Sequence, residues 1–311
     1  MKILKSILTA AFAMAFAAVV AQTPQPNALV RISVASLRAE PRHSAELETQ
    51  ALCGTPVNVV ALADNEDWLQ AELPDGYKAY IHRMAVVLLS AEEMTRWQKA
   101  GRVVVKSVDE LRVMTDTIAE SAVVSDIVHG SILEGRVMPG SNYTAVTIPD
   151  GRTGYLPAAS VANLSEYMSR PLSMEAVVGV ARRLTGVPYL WGGNSTKEMD
   201  CSGLTRIGYL DSGILLPRNA GAQAKCGEAV SLDNLMAGDL LFFENEEGRV
   251  THVAISLGGT HYIHASGFVH ESSFDERDTK YNGRVVNFAR RLTAESAAKL
   301  SVCSNSWYFA P

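Results

Sequence analysis

The sequence predicts an α+β fold class, with two small all-β barrels followed by a C-terminal domain of helices and strands. Two observations predict this organisation. A segment of about 65 residues occurs twice in the first half of the chain, and the second half begins with a helical pattern and continues as strands. With 311 residues, of which 47% are hydrophobic and 20% charged, the chain can bury several cores.

The charge and cysteine content exclude several classes of protein. The net charge is −5 and no basic stripe is present, so we expect no nucleic-acid partner. Four cysteines in this length are too few for a disulfide scaffold. The one apolar run that approaches the length of a membrane span lies at the N-terminus, which excludes a multi-pass membrane protein.

The N-terminus has the pattern of an export signal. Lys2 and Lys5 precede an apolar run at residues 7–20, and small residues continue to Ala21. We predict that residues 1–21 are a signal peptide removed near Ala21. The mature protein would then work in the periplasm or outside the cell, without a stable membrane anchor. An uncleaved N-terminal anchor is the alternative.

The internal repeat is defined by its ends. Residues 33–38 recur as residues 107–112, and the Pro-Asp-Gly turn at 74–76 recurs at 149–151. Each turn is followed four residues later by a tyrosine. Proline sets φ and glycine accepts a positive φ, so Pro-Asp-Gly between β-rich runs predicts a hairpin turn. The repeat therefore predicts tandem all-β barrels and a helical spacer, at residues 28–90, 101–165 and 91–100 respectively.

Start and stop signals predict three helices. Ser90 and Glu93 form a capping box that opens the spacer helix. Residues 174–184 have the apolar spacing of one helix face, and a further helix begins near Asp200 or Cys201. Strands are predicted after these helices, at residues 240–243, 250–257 and 260–265, within a C-terminal domain of residues 166–311.

Three residues of this domain have the chemistry of a nucleophilic hydrolase. A cysteine attacks as its thiolate, whose free pKa of about 8.5 lies above neutrality. We expect the fold to lower the pKa of Cys201, because a helix start offers partial positive charge and free N–H groups. His252 is the candidate general base that takes the thiol proton. His264 is the candidate that orients the ring of His252.

Strand parity predicts how the two histidines meet. If residues 250–256 and 260–266 form a hairpin with a three-residue loop, opposed residues have numbers that sum to 516. His252 then faces His264 on one side of the ribbon. A two-residue loop would instead place His252 opposite Ala265.

The repeat resembles the bacterial SH3-like domains of exported wall-associated proteins. In the first copy the resemblance rests on Leu37-Arg38, Gly54, Trp68 and the Pro-Asp-Gly-x-x-x-Tyr ending. The second copy lacks the tryptophan and matches less well.

The C-terminal domain resembles the NlpC-type papain-like cell-wall cysteine peptidases through five ordered motifs. These are Asp200-Cys201-Ser202-Gly203-Leu204, Leu216-Pro217-Arg218, Gly238-Asp239-Leu240-Leu241-Phe242-Phe243, His252-Val253-Ala254-Ile255 and Ile263-His264-Ala265. The resemblance covers roughly residues 170–290. It is greatest to the γ-D-glutamyl-L-diamino acid endopeptidases, the dipeptidyl-peptidases VI, and implies a papain-like fold for this domain.

The resemblance implies attack by Cys201 on the amide between the γ-carboxyl of D-glutamate and the diamino acid of a peptidoglycan peptide. The backbone N–H of Cys201, aided by Tyr189, would stabilise the oxyanion. Asp200 and Ser202 would hold the substrate's N-terminal L-alanine and its D-glutamate. Arg218 would face the D-glutamate carboxylate, since a planar guanidinium suits that group. No cofactor or metal is implied.

In relatives with this architecture, the first SH3-like domain narrows the cleft and adds an acid and a tyrosine near the substrate amine. Glu46 and Tyr80 are the candidates, with Glu40 and Tyr77 as alternatives. The sequence departs from relatives at Ala220, where a serine is common.

Other interpretations remain open. Asp200 could only cap the helix, and Arg218 could form a structural pair. Cys201, His252 and His264 could be zinc ligands, although no fourth ligand is evident. The chain could be a non-catalytic wall-binding protein, or it could cleave D,D or L,D cross-links or act as an amidase. We expect a monomer, and Cys226 and Cys303 could pair in an oxidising compartment.

Overall fold

The computed structural model describes residues 26–64, 66–298 and 300. The predicted signal peptide, residues 1–21, lies outside the described residues, and so does Cys303. Cleavage near Ala21 and the pairing of Cys226 with Cys303 therefore stay predictions. In the described part of the chain, no helix is long and apolar enough to cross a membrane.

The first repeat folds into a seven-stranded antiparallel sheet that closes around a core. The strands are β1 (Ala28–Val30), β2 (Val34–Arg38), β3 (Leu47–Leu52), β4 (Pro56–Leu62), β5 (Trp68–Glu72), β6 (Lys78–His82) and β7 (Val86–Leu88). Their order in the sheet is β3-β2-β6-β5-β4-β1-β7. The alternating side chains Leu37, Leu69 and Ile81 are buried in this core.

The second repeat folds in the same way. Its strands are β8 (Arg102–Val105), β9 (Leu111–Met114), β10 (Val123–Ile127), β11 (Ile132–Gly135), β12 (Tyr143–Thr147), β13 (Thr153–Pro157) and β14 (Val161–Asn163). The order β10-β9-β13-β12-β11-β8-β14 repeats that of the first sheet, with each strand number raised by seven. The predicted pair of all-β units is therefore confirmed.

The spacer helix α1 (Ala91–Lys99) packs against both repeats. Ser90 and Glu93 form both hydrogen bonds of the predicted capping box. Met94 and Trp97 are buried beside residues of both sheets, including Leu29 and Val104. The spacer therefore belongs to a shared core and is not a free linker.

The C-terminal domain places helices against one antiparallel sheet. The helices are α2 (Leu164–Met168), α3 (Met174–Arg183), α4 (Cys201–Leu210), α5 (Ala220–Gln223) and α6 (Ala294–Ala298). The strands are β15 (Glu228–Val230), β16 (Leu240–Glu244), β17 (Val250–Gly258), β18 (His261–Ser266), β19 (Phe268–Ser273) and β20 (Phe288–Arg291), in the order β15-β20-β16-β17-β18-β19. The mixed α+β class is confirmed.

The central strands are apolar on both faces, because both faces of the sheet are covered. Leu240 and Phe242 belong to the core that α3 and α4 share with the sheet. Leu241 and Phe243 belong to a second cluster on the opposite face. Such strands read as continuous apolar runs and not as alternating ones.

The predicted register of the β17–β18 hairpin is wrong by two residues. The pairs are Ile255 with Ile263 and Ser256 with Tyr262, so opposed numbers sum to 518. Leu257 is then an extra residue, because Gly258 pairs with His261. A shift of two keeps every side chain on its face, so both histidines still lie on one side without being directly opposite.

Candidate active site

The candidate nucleophile lies at the start of α4. Asp200 is the N-cap, and its Oδ1 accepts the backbone N–H of Gly203 at 2.7 Å. Cys201 is therefore the first helical residue, as predicted from the sequence. Its side chain is buried, and the backbone N–H groups of Val253 and Ser202 reach its sulfur. The sulfur thus lies against the residue that follows His252.

The thiol of Cys201 is protonated at neutral pH. Burial raises its pKa to about 11, and the negative charge of Asp200 acts in the same direction. The N–H groups of Val253 and Ser202 act in the opposite direction and are weaker. The expectation that the helix start lowers this pKa is therefore wrong for the free protein, because desolvation outweighs the backbone donors.

His252 and His264 form a hydrogen-bonded pair. His252 Nε2 lies 2.9 Å from His264 Nδ1, and the rings meet edge to face. Burial lowers the pKa of His252 to about 3 and that of His264 to about 2, so both rings are neutral at pH 7. Since Nε2 of His252 is occupied by His264, Nδ1 is the nitrogen left to accept a proton.

The β17–β18 ladder ends close to these groups. The pair farthest from the turn is Ile255 with Ile263, so the two strands are no longer paired at His252. Phe243 packs edge to face on His252, and Tyr262 packs in the same way on His264. The aromatic rings hold the two imidazoles at the open end of the hairpin.

Arg218 joins the helix start to the first repeat. It donates to both carboxylate oxygens of Asp200, at 3.1 and 2.5 Å, and to Ser202 Oγ at 2.9 Å. Its Nε donates to Thr49 Oγ1 on β3 at 2.8 Å, and Nη2 also contacts the carbonyl of Gly193. These bonds engage all five N–H donors of the guanidinium.

This network differs from the expected substrate contacts. Asp200 and Arg218, expected to bind an amine and a carboxylate of the substrate, bind each other in a buried pair. Asp200 Oδ2 also accepts the backbone N–H of Gly192. With the donors of Arg218 engaged, its expected contact with D-glutamate would require the loss of an internal bond. The alternative that Arg218 forms a structural pair, which the sequence left open, is the one observed.

Tyr189 lies close to Cys201, the candidate nucleophile. Burial raises the pKa of its phenol to about 12, with further contributions from Cys201 and Asp200, so the hydroxyl keeps its proton. Its backbone N–H donates to the carbonyl of Gly267, which attaches the loop to the turn after β18. A protonated phenol at this place can donate to a developing oxyanion.

The first repeat places a different acid and tyrosine near the network from those favoured by the sequence. Glu46 is exposed, and Glu40 pairs with Arg42 at 3.0 Å on the surface. Tyr80 lies on β6 between Ala79 and Ile81, which are buried in the core, so its side chain faces the other side of the strand. No described hydrogen bond joins Glu46 or Tyr80 to the Arg218 network.

Glu48 and Tyr77 take that place. The hydroxyl of Tyr77 donates to Glu48 Oε2 at 2.5 Å. Burial and the hydrogen bond to Glu48 raise the pKa of Tyr77 to about 12, and the positive charge of Arg218 opposes this shift. Tyr77 was the alternative tyrosine, whereas Glu48 was not predicted.

A β-bulge explains why the sequence pattern missed Glu48. Leu37 pairs with Thr49, but Arg38 pairs with Leu47, so Glu48 is an extra residue on β3. A bulge redirects a side chain in a way that strand parity does not predict. The close approach of β3 to the peptidase loop is visible at Gly192, where a Cβ would lie 2.3 Å from the carbonyl oxygen of Leu47.

The geometry does not favour a zinc site. His252 and His264, two of the three ligands in that interpretation, direct nitrogens at each other in a hydrogen bond. Among residues 26–64, 66–298 and 300, no group of three or more His, Cys, Asp and Glu side chains is arranged to hold a metal ion. A buried thiol at a helix start beside a histidine pair is instead typical of cysteine-dependent hydrolases.

Comparison with known proteins gives the family. The model described as the NlpC/P60 family matches residues 186–291, and the bacterial dipeptidyl-peptidase SH3 domain matches residues 37–86. Dipeptidyl-peptidase 6 of Lysinibacillus sphaericus is 33% identical over 268 residues, which cover 82% of this chain and 94% of the relative. The chain belongs to the NlpC/P60 family of cysteine peptidases.

Two further similarities cover different parts of the chain. A γ-D-glutamyl-L-lysine dipeptidyl-peptidase of Bacillus subtilis is 43% identical over 93 residues, which cover 29% of this chain and 31% of the relative. The crystal structure of a NlpC/P60 family protein from Bacillus cereus superposes with a TM-score of 0.72 at 22% identity, over 85% of this chain and 99% of that one. The latter similarity shows a common fold across all three units.

Proposed function

We propose that this chain hydrolyses the γ-D-glutamyl–diamino acid bond of peptidoglycan stem peptides that carry a free N-terminal L-alanine. The observation that carries the proposal is the Glu48–Tyr77 pair, which the first repeat brings beside the Arg218 network at one end of the site. The name of the Bacillus subtilis relative, which specifies a γ-D-glutamyl-L-lysine bond, supports the same bond here.

In the proposed first step, the sulfur of Cys201 attacks the γ-carbonyl carbon of D-glutamate while its proton passes to Nδ1 of His252. The backbone N–H of Cys201 and the hydroxyl of Tyr189 donate to the oxyanion. His252 then gives the proton to the departing amine of the diamino acid, and the C–N bond breaks. Water, deprotonated by His252, hydrolyses the thioester and releases L-Ala-D-Glu.

The resting protonation states determine how this step proceeds. With a thiol pKa of about 11 and an imidazole pKa of about 3, the neutral pair is the stable form at pH 7. Proton transfer therefore accompanies attack and does not precede it. His264 stabilises the imidazolium that forms, since its Nδ1 faces Nε2 of His252.

Glu48 is the proposed anion for the substrate's α-ammonium group. Asp200 already accepts bonds on both oxygens, whereas the pair of Glu48 with Tyr77 leaves carboxylate lone pairs for an amine. In this proposal Asp200 and Arg218 act by positioning Ser202 and the helix start. A stem peptide still attached to glycan lacks this charge and adds bulk, so it would bind poorly.

The test uses defined peptides and mass spectrometry of the products. We expect cleavage of L-Ala-γ-D-Glu-meso-diaminopimelate or L-Ala-γ-D-Glu-L-Lys, little cleavage of the N-acetylated peptides, and a loss of about a thousandfold or more in Cys201→Ala. Equal rates on free and acetylated peptides would contradict the proposed specificity. Products cut at D,D or L,D bonds, or wall binding without cleavage, would favour the alternative functions.

Glu48 and Glu46 form a matched pair of variants. We expect Glu48→Gln to raise KM for the free-amine peptide about tenfold, because a charge-assisted contact is lost. Glu46→Gln should leave KM unchanged, since Glu46 is exposed and outside the network. A raised KM in Glu46→Gln and an unchanged KM in Glu48→Gln would indicate that Glu46 binds the substrate amine. Export to the periplasm or the exterior belongs to the same proposal, and N-terminal sequencing of the mature protein near Ala21 tests it.

A further inference from the structure

A third histidine adjoins the catalytic pair. His270 lies on β19 directly opposite His264 in the β18–β19 ladder. Its Nε2 is 3.2 Å from Nε2 of His264, and its Nδ1 is 2.9 Å from the carbonyl oxygen of Phe268. No role for His270 is predicted from the sequence, because nothing in the strand pattern distinguishes this residue.

The carbonyl of Phe268 determines where the protons lie in this chain of rings. A carbonyl only accepts, so Nδ1 of His270 carries the hydrogen, and Nε2 of the neutral ring is an acceptor. Nε2 of His264 must then donate to His270, which leaves Nδ1 of His264 as an acceptor. Nε2 of His252 consequently donates to His264, and Nδ1 of His252 keeps its lone pair.

We propose that His270 is a positioning residue that sets the tautomers of His264 and His252. The inference rests on the proposed role of His252 as general base. In the reverse arrangement His264 would donate from Nδ1 to Nε2 of His252, which would place the hydrogen of His252 on Nδ1. That tautomer cannot accept the thiol proton of Cys201.

Ser272 does not determine which nitrogen of His264 carries the hydrogen. Its hydroxyl also lies 3.2 Å from Nε2 of His264, on the buried side of β19. A hydroxyl can either donate or accept, so it tolerates both tautomers of His264. Neutral His270 tolerates one, because the carbonyl of Phe268 engages its other nitrogen.

Two variants of His270 separate positioning from packing. His270→Phe keeps a ring of similar size but removes the acceptor, and we expect kcat to fall about tenfold with KM unchanged. His270→Gln supplies an amide oxygen as acceptor in place of the ring nitrogen, so it should recover most of kcat. His261→Phe is the matched control, because His261 pairs with Asp278 at the surface.

The outcomes that would overturn the proposal are specific. A wild-type kcat in His270→Phe would do so, and so would a larger loss of kcat in Ser272→Ala than in His270→Phe. Failure of His270→Gln to recover kcat would exclude the proposed direction of the hydrogen bonds, in which His264 donates to the side chain at position 270.

Nitrogen-15 NMR of the free protein supplies a readout that does not depend on the substrate. We expect hydrogens on Nε2 of His252, Nε2 of His264 and Nδ1 of His270 at pH 7, and movement of the first two to Nδ1 in a share of molecules of His270→Phe. Tautomers that do not change between the two proteins would refute the inference even if the peptide test failed.

Discussion

The two all-β repeats have one strand order but different neighbours. The first extends β3 along the active site, where Thr49 accepts from Arg218 and Gln50 accepts the backbone N–H of Asn194. The second contacts the peptidase through its buried turn at Gly130, which meets Leu210 of α4, and through surface pairs such as Asp109–Arg183. Duplication thus produced two similar folds, and among the described residues only the first lends hydrogen-bonding groups to the network around Cys201.

Equivalent turns of the two repeats also pack against different partners. Gly54 and Gly130 both adopt positive φ between matching strands, at +79° and +84°. A Cβ at Gly54 would lie 1.7 Å from the carbonyl oxygen of Ile132 in the second repeat, whereas one at Gly130 would meet Leu210 of α4 at 2.9 Å. The same turn therefore docks on a different partner in each copy.

The aspartates of the two Pro-Asp-Gly turns form ion pairs that differ in how deeply they are buried. Asp75 of the first copy pairs with Arg206 of α4 at 2.7 Å, and both side chains are less than a tenth exposed. Asp150 of the second copy pairs with Arg31 and Arg152, whose side chains are 36% and 45% exposed. The free energy lost when a pair is broken should depend more on how deeply the pair is buried than on its distance.

The largest expected effect breaks the buried pair of the first turn. Asp75→Asn leaves Arg206 charged and buried without its partner, which should lower the free energy of unfolding by about 3–5 kcal/mol. Asp150→Asn should lower it by about 1 kcal/mol, since both arginines reach water. Urea unfolding of the two variants measures the difference, and equal losses would contradict the comparison.

A smaller effect is expected where β3 supports the site. Thr49→Val leaves the buried Nε of Arg218 without an acceptor, which should lower the unfolding free energy by about 1–3 kcal/mol and raise KM. Asp126→Asn is the control in the second repeat, because its pair with Lys197 is exposed. Unfolding and peptide kinetics on both variants check this, and an unchanged KM in Thr49→Val would show that β3 does not position the site.

Acid should destabilise the second repeat through His129. Burial lowers the pKa of this histidine, so the unfolded chain binds its proton more readily than the folded one. The contribution is fully present above about pH 6.5 and is lost as pH falls, by up to about 1.4 kcal/mol per pH unit. His252 and His264 act in the same direction, because their pKa values are also lowered.

The variant His129→Gln shows how much of the acid destabilisation comes from the second repeat. Its unfolding free energy should fall less steeply than that of the wild type between about pH 6.5 and 5.5. Identical slopes would mean that His129 does not contribute, and that the acid sensitivity arises in the peptidase domain.

The smallest effect is expected at the surface of the second repeat. Arg183→Ala removes the pair with Asp109, in which the two side chains are 53% and 73% exposed. The unfolding free energy should change by no more than about 0.5 kcal/mol, and kcat and KM should not change. A loss comparable to that of Asp75→Asn would remove the distinction between the repeats.

Local signals in the sequence predicted much of the fold. The Ser90 capping box, the start of α4 after Asp200 and the repeated Pro-Asp-Gly turn depend on residues within a few positions of each other. Strand parity also placed His252 and His264 on one face. What parity left open was the register, which the position of the turn after Gly258 and the extra residue Leu257 together shifted by two.

The site was predicted least well where distant segments meet. Glu48 lies beside the Arg218 network because of a bulge in β3. Asp200 pairs with Arg218, which lies eighteen residues further along the chain. His270 contacts His264 across a pair of neighbouring strands. The sequence by itself determined the kinds of element and the positions of the helix-start cysteine and the turns, because these rest on short-range hydrogen bonds and periodicity. Only the tertiary structure decided which charges pair and which protons are held, because those depend on burial and on contacts between residues far apart in the chain.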